Sequence, residues 1–180
     1  MYEVELKIRA DHDAVRKRLA DAGAERREAV VQRDTYYDAP HRDFAATDEA
    51  LRIRRVERDG AEQARVTYKG PLVDDESKTR EEYETGVGDG ETLAAALAAL
   101  GFEPAATVAK RRERFGLDGY AVTLDDVEGL GEYVEVEGEA TEGDIEGVRE
   151  GAAGVARSLG LDPERSIRTS YLELLLDGEP

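Results

Sequence analysis

The sequence predicts an α+β fold in which antiparallel strands dominate and helices fill the gaps between them. Stretches of period-two alternation recur about eight times along the chain. Asp59-Gly60 and Asp118-Gly119 lie between consecutive stretches and have the chemistry of tight turns joining antiparallel neighbours. The apolar share, 40 % of 180 residues, is enough for a buried core in one domain covering residues 1–180.

The elements follow in order. Residues 2–9 alternate apolar Tyr2, Val4, Leu6 and Ile8 with charged Glu3, Glu5, Lys7 and Arg9. Asp11 caps a helix that carries Val15, Leu19 and Ala22 on one face and stops at Gly23. A run at about 28–37 ends in Asp34-Thr35-Tyr36-Tyr37, and 50–58 with 63–70 form a hairpin about Asp59-Gly60. Pro71 to Thr79 has the composition of a flexible loop, after which alternation resumes over 79–87. Glu91–Leu100 reads as an Ala-rich helix, a close-packed cover ended by Gly101. Residues 108–116 and 119–126 make the next pair, and Gly129 and Gly131 turn the chain into a last strand at 132–139. Residues 142–159 place Ile145, Val148, Ala152, Val155 and Leu159 at helical spacing, with Gly160 behind. Pro163 starts a fourth helix bearing Ile167, Tyr171 and Leu175.

Composition excludes several functions. With no Cys there are no disulfides, thiolate metal sites or cysteine nucleophiles, and His12 and His41 are too few for a multi-histidine centre. The longest apolar run, Leu93–Leu100, is too short for a membrane helix. The acidic, alternating start Met1-Tyr2-Glu3-Val4-Glu5 is unlike a signal peptide, so the expected location is the cytoplasm. Twenty-five basic residues against 42 acidic ones give a net charge of −17, the wrong sign for coating a nucleic-acid duplex. Twenty of the basic residues are Arg, and the acidic, Ala-rich and Gly-rich surface fits a halophilic protein whose self-repulsion is screened by concentrated salt.

The strand faces run against that charge. The polar faces collect Lys7, Arg9, Arg52, Arg54, Arg65, Lys69, Arg80, Lys110, Arg112 and Arg114, ten of the 25 cations. They carry only seven of the 42 acids: Glu3, Glu5, Glu82, Glu84, Asp125, Glu135 and Glu137. These are either solvated outer faces or the lining of a closed sheet with helices over its apolar outside. A lumen so rich in cations suits a polyanion. Its carboxylates suit a hard divalent ion, with Glu3 and Glu5 ~6.5–7 Å apart along one strand face and Glu135 and Glu137 repeating the arrangement. Oxygen ligands without Cys or clustered His favour Mg²⁺ or Mn²⁺ over Zn²⁺.

Glu3-Val4-Glu5-Leu6-Lys7 resembles the Glu-x-Glu-x-Lys signature that opens the CYTH superfamily, the triphosphate tunnel metalloenzymes. Leu51-Arg52-Ile53-Arg54, Tyr68-Lys69-Gly70-Pro71, Arg80-x-Glu82-x-Glu84, Lys110-Arg111-Arg112 and Leu124-Asp125 through Tyr133-Val134-Glu135-Val136-Glu137 follow in the same order. The first strand, and Asp34-Thr35-Tyr36-Tyr37-Asp38-x-Pro40 with Arg42-Asp43-Phe44, look most like the class IV adenylyl cyclase branch. The resemblance implies an eight-stranded antiparallel β-barrel, the triphosphate tunnel, with helices packed outside. It implies that Lys7, Arg52, Arg54, Lys69, Arg80, Lys110 and Arg112 bind the triphosphate, with Lys7, Arg54 and Lys69 catalytic, and that Glu3, Glu5, Asp125, Glu135 and Glu137 hold Mg²⁺ or Mn²⁺. The reaction it favours is ATP to cyclic AMP and pyrophosphate. Hydrolysis of tripolyphosphate, thiamine triphosphate or a nucleoside triphosphate needs the same tunnel, and a non-catalytic polyphosphate or nucleotide sensor is the alternative of another class. The expected partner is ATP or polyphosphate, with a homodimer compatible.

The remaining chemistry-bearing residues read as structural: His12 at a helix start, His41 in a surface loop with catalysis the alternative, and Tyr36 and Tyr37 as strand aromatics in the core with base stacking the alternative.

Overall fold

The computed structural model describes residues 1–178, so the last two residues of the expected 1–180 unit lie outside the described residues. Among the described residues eight strands close into one antiparallel ring. They are β1 (Tyr2–Arg9), β2 (Glu25–Asp38), β3 (Ala50–Arg58), β4 (Ala61–Lys69), β5 (Lys78–Val87), β6 (Glu103–Leu117), β7 (Tyr120–Val127) and β8 (Gly131–Ala140). The order around the barrel is β1-β5-β4-β3-β2-β6-β7-β8, so the first and last strands are neighbours. Five helices accompany it: α1 (His12–Asp21), α2 (Phe44–Thr47), α3 (Gly90–Ala99), α4 (Ile145–Ser158) and α5 (Tyr171–Leu176). None of the described helices is long and apolar enough to cross a membrane.

Alternation decides which way each side chain points, because successive residues of a strand face opposite sides of the sheet. Leu6 and Ile8 of β1 point outward and join Phe115, Val122, Leu124, Val134 and Val136 in a core covered by Val15 and Leu19 of α1 and Ala152, Val155 and Ala156 of α4. The small α4 residues let that helix lie close against β1 and β8. The intervening charged residues are left to the barrel's interior. Asp59 and Gly60, like Asp118 and Gly119, have φ of 52° and 79–84°, the left-handed pair of a two-residue hairpin turn that matches strand twist.

The structure departs from the sequence reading in five places. The short helix α2, capped by Asp43, was not expected. β2 and β6 are longer than expected because residues 25–28 are all charged and 104–106 are Pro-Ala-Ala, which hides the alternation; they pair with each other through shifts near Arg26 and Tyr36. α3 buries none of its residues, so it is not a close-packed cover. Pro163 opens only a three-residue 3-10 turn, Pro163–Arg165, and no fourth long helix follows it. The next residues are tied to β1 instead, with Ile167 N–H donating to the Lys7 carbonyl at 2.8 Å and Lys7 N–H donating to Ser166 Oγ at 3.2 Å. Ser170 and Glu173 then form a capping box that starts α5. Finally, the loop before β5 is strapped down. Arg168 donates to the carbonyls of Asp74 (2.7 Å) and Ser77 (3.4 Å), and Arg149 of α4 pairs with Asp74 and Glu76.

Candidate functional site

The interior of the barrel is a tunnel of about 170 Å³ lined mostly by charged side chains. Nine cations and seven carboxylates face it in a chain whose net charge is −17. Eleven of the twelve site residues expected from sequence line this cavity, and the twelfth, Asp125, is fully buried in its wall. Of the other charged-face residues, Arg114 lines the tunnel too. Arg65 and Arg9 do not: Arg9 is exposed and donates to Tyr133 Oη at 2.6 Å.

The acids fall into two groups. Glu3 and Glu5 of β1 meet Glu137 of β8, because Glu5 and Glu137 are register partners; carboxylate oxygens of the three all lie within 4.8 Å of one another. Glu5 Oε1 is buried there with no hydrogen-bond partner. Burial and the neighbouring Glu3 push Glu137 up to about 8. Burial works against ionisation of Glu3, but Lys69, a hydrogen bond with Glu82, and Arg52 together hold Glu3 at about 2. A crowd of this kind, with one carboxylate oxygen that makes no hydrogen bond and one carboxyl forced to keep its proton, is what a divalent cation relieves.

Asp125 and Glu135 are arranged otherwise. Arg112 grips Asp125 with both arms, at 2.6 and 2.5 Å, and reaches Glu135 at 2.6 Å. Lys110 lies 3.4 Å from Asp125, and Tyr171 of α5 donates to the same carboxylate at 3.1 Å. Burial opposes both charges, but Arg112 and Lys110 keep the two carboxyls below the usual range. Asp125 and Glu135 therefore lie outside the mutual 4.8 Å set of Glu3, Glu5 and Glu137, and both are paired with Arg112.

The cations are held in the same manner. Arg54 makes a two-armed pair with Asp34 at 2.7 Å each, and Arg52 lies 3.6 Å from the same carboxylate. Lys7 sits 3.4 Å from Glu5 and 3.7 Å from Glu135, with its ammonium 4.2 Å from the Tyr171 ring centre. Burial alone would lower Lys7, yet those two acids hold it above the ordinary lysine range. Lys69 lies 3.1 Å from both Glu3 and Glu82. Lys110 goes the other way: burial, with Arg112 beside it, brings it down to about 8. Lys78 is brought down by burial to about 7, with Lys7 adding to the effect.

Sequence reasoning missed Lys78, Asp34, Gln32 and Tyr171, and placed Tyr36 in the core. Lys78 is two residues before Arg80 on the same face, and Gln32, Asp34 and Tyr36 alternate along β2, so their pattern was readable. Tyr37 is buried as expected, whereas Tyr36 turns into the tunnel, its hydroxyl 3.4 Å from Arg52. Tyr171 arrives from a distant segment and had no local signal. His12 is buried with Nε2 2.9 Å from the Tyr133 carbonyl, and His41 is exposed against Phe102, both outside the tunnel.

The family model described as the CYTH domain matches residues 1–171. The chain belongs to this family. CYTH proteins bind triphosphate substrates and are generally dependent on divalent metal. A protein of Methanocaldococcus jannaschii, provisionally named an adenylate cyclase, is 38% identical over 176 residues, covering 97% of this chain and 98% of its own. Adenylate cyclase CyaB of Aeromonas hydrophila is 32% identical over 137 residues, 75% of this chain and 68% of its own. A solved structure from Pyrococcus horikoshii superposes with a TM-score of 0.90 at 39% identity, covering 97% of this chain and 98% of that one.

Proposed function

We propose that this CYTH chain is a divalent-metal-dependent enzyme that converts ATP to cyclic AMP and pyrophosphate. The observation that carries the reading is the tunnel itself: nine inward cations beside three crowded carboxylates, in an otherwise strongly acidic protein. The names of the M. jannaschii and A. hydrophila relatives support the choice of reaction.

Lys7, Arg52, Arg54, Lys69, Arg80, Lys110 and Arg112 bind the phosphate oxygens. Their carboxylate partners fix each cation's direction before the substrate arrives, so little reorganisation is left for the reaction. Glu3, Glu5 and Glu137 would hold Mg²⁺ or Mn²⁺, which when bound supplies charge neutralisation for the phosphates. Lys7, Arg54 and Lys69 stabilise the charge that develops during transfer. In that transfer the ribose 3′-oxygen bonds to the α-phosphorus and the bond from that phosphorus to the α–β bridging oxygen breaks. Pyrophosphate leaves with the electron pair, and the hydroxyl proton passes to water.

A second reading is hydrolysis of a triphosphate at its terminal phosphorus. It is favoured by the lining: Tyr36 and Tyr171 are the only aromatic side chains among the described lining residues, so the tunnel suits a bare phosphate chain as well as a nucleotide. Incubation with ATP, and separately with tripolyphosphate, with Mg²⁺ or Mn²⁺ in high salt, tests both. Cyclic AMP with pyrophosphate supports the cyclase, and orthophosphate supports the hydrolase. Tight binding without turnover would show a sensor, and turnover that persists in chelator would refute the metal assignment.

A further inference from the structure

Eight of the nine cations that line the tunnel have a carboxylate within ion-pair distance. These are Lys7, Arg52, Arg54, Lys69, Arg80, Lys110, Arg112 and Arg114. The ninth, Lys78, has neither an ion pair nor a side-chain hydrogen bond among the described residues, although it is only 8% exposed and faces the same cavity. Its register partner on β1 is Glu5, but the ion pair that Glu5 makes is with Lys7. Lys7 and Arg80 repel its charge, and Glu5 and Asp48 attract it only from beyond ion-pair distance.

An ammonium largely removed from bulk water, open only to the tunnel and without a partner at ion-pair distance, is a feature that folding alone does not favour. Loop slack does not explain it either. The carbonyl of Ser77, the preceding residue, is fixed by Arg168, and Lys78 itself is locked into the β1–β5 ladder. The position is therefore fixed by the backbone, with its ammonium facing the tunnel and open to an anion.

We propose that Lys78 is a substrate-contacting residue whose ammonium takes an anionic oxygen of the phosphate chain at the level of Glu5, Lys7 and Arg80. This rests on the triphosphate reading of the tunnel and adds to it a contact that none of the paired cations supplies: an anchor with no internal partner to give up. Lysine presents a compact point charge with three donors and no flat surface for a base, so the group it holds is phosphate and not the nucleoside.

The test is calorimetric titration of wild type, Lys78→Met, Lys78→Gln and Lys78→Arg with inorganic tripolyphosphate and with ATP, alongside thermal melts. Loss of one charge-assisted contact should weaken both ligands by about 10–100-fold in the Met and Gln variants, with substantial recovery in Lys78→Arg. The melting temperature should stay level or rise, because an unpartnered buried charge has been removed. Unchanged affinity in Lys78→Met with a wild type that binds tripolyphosphate overturns the inference alone. A loss confined to ATP overturns the phosphate assignment, and a lowered melting temperature with unchanged affinity shows a structural lysine. A wild type that binds neither ligand overturns the inference together with the tunnel reading.

Discussion

Glu137 keeps its proton up to about pH 8 in the folded chain, whereas an ordinary glutamate releases it near 4.5. Between those values the folded state binds a proton that the unfolded state has lost, so stability falls as pH rises through the window. Lys78 has the opposite sign, but only above about 7, where the folded chain starts to bind fewer protons than the unfolded one. In chelator, the melting temperature should therefore drop between about pH 5 and about pH 7, and Glu137→Gln should flatten the drop. Added Mg²⁺ should flatten it in the wild type. An equally steep fall in Glu137→Gln would remove Glu137 from the account. Arg54→Ala has two effects that are separable. It should weaken tripolyphosphate binding by about 1.5–3 kcal/mol, and it also strips buried Asp34 of its two-armed partner, which should cost about 3–5 kcal/mol of stability. Adding Asp34→Asn should restore stability without restoring binding, as followed by denaturant unfolding and titration.

The strap of residues 166–170 shows how one element holds another. Arg168 is the residue that ties this segment to two carbonyls of the loop before β5. Arg168→Ala should lower stability by about 1–2 kcal/mol and speed proteolytic cleavage within 72–76, leaving the β2–β6 ladder protected from hydrogen exchange. Cleavage at the wild-type rate would mean that the loop is held by its own Asp74–Ser77 contacts. The strap also marks where the sequence was hard to read. The strands with clean alternation, such as β1 and β3, were legible to within a residue, because a period of two has one structural solution. The strap has no periodicity, and what orders it is a set of hydrogen bonds to residues about 90 to 160 positions away. The inward charges were legible for the same reason as the strands, whereas the division of the acids into a mutually crowded trio and a pair clamped by Arg112 depends on side-chain reach across neighbouring strands.

At the scale of the whole molecule the charge is divided, with a cation-rich interior inside an acidic exterior. Surface repulsion should be screened as the Debye length falls from about 10 Å at 0.1 M salt to about 3 Å at 1 M, so the melting temperature should rise with KCl over that range. A flat response would argue against a salt-adapted surface. Triphosphate affinity should move the opposite way, since its contacts are also electrostatic.

The ring closes where β1 meets β8, and Glu3 and Glu5 stand on one side of that seam with Glu137 on the other. The two strands are joined by more than 120 residues of intervening chain, so their pairing is among the least local events in the fold. The carboxylates meet only when that pairing forms, and their repulsion is therefore felt late on the folding path. Mutual repulsion at a late step acts as a kinetic gate: because Glu137 keeps its proton up to about pH 8, refolding in chelator should be slowest above that value and faster at lower pH or with divalent ions present. In stopped-flow refolding, Glu137→Gln should remove most of that dependence, and the same three side chains that prepare a site for cation binding would then also set the rate at which the barrel seals.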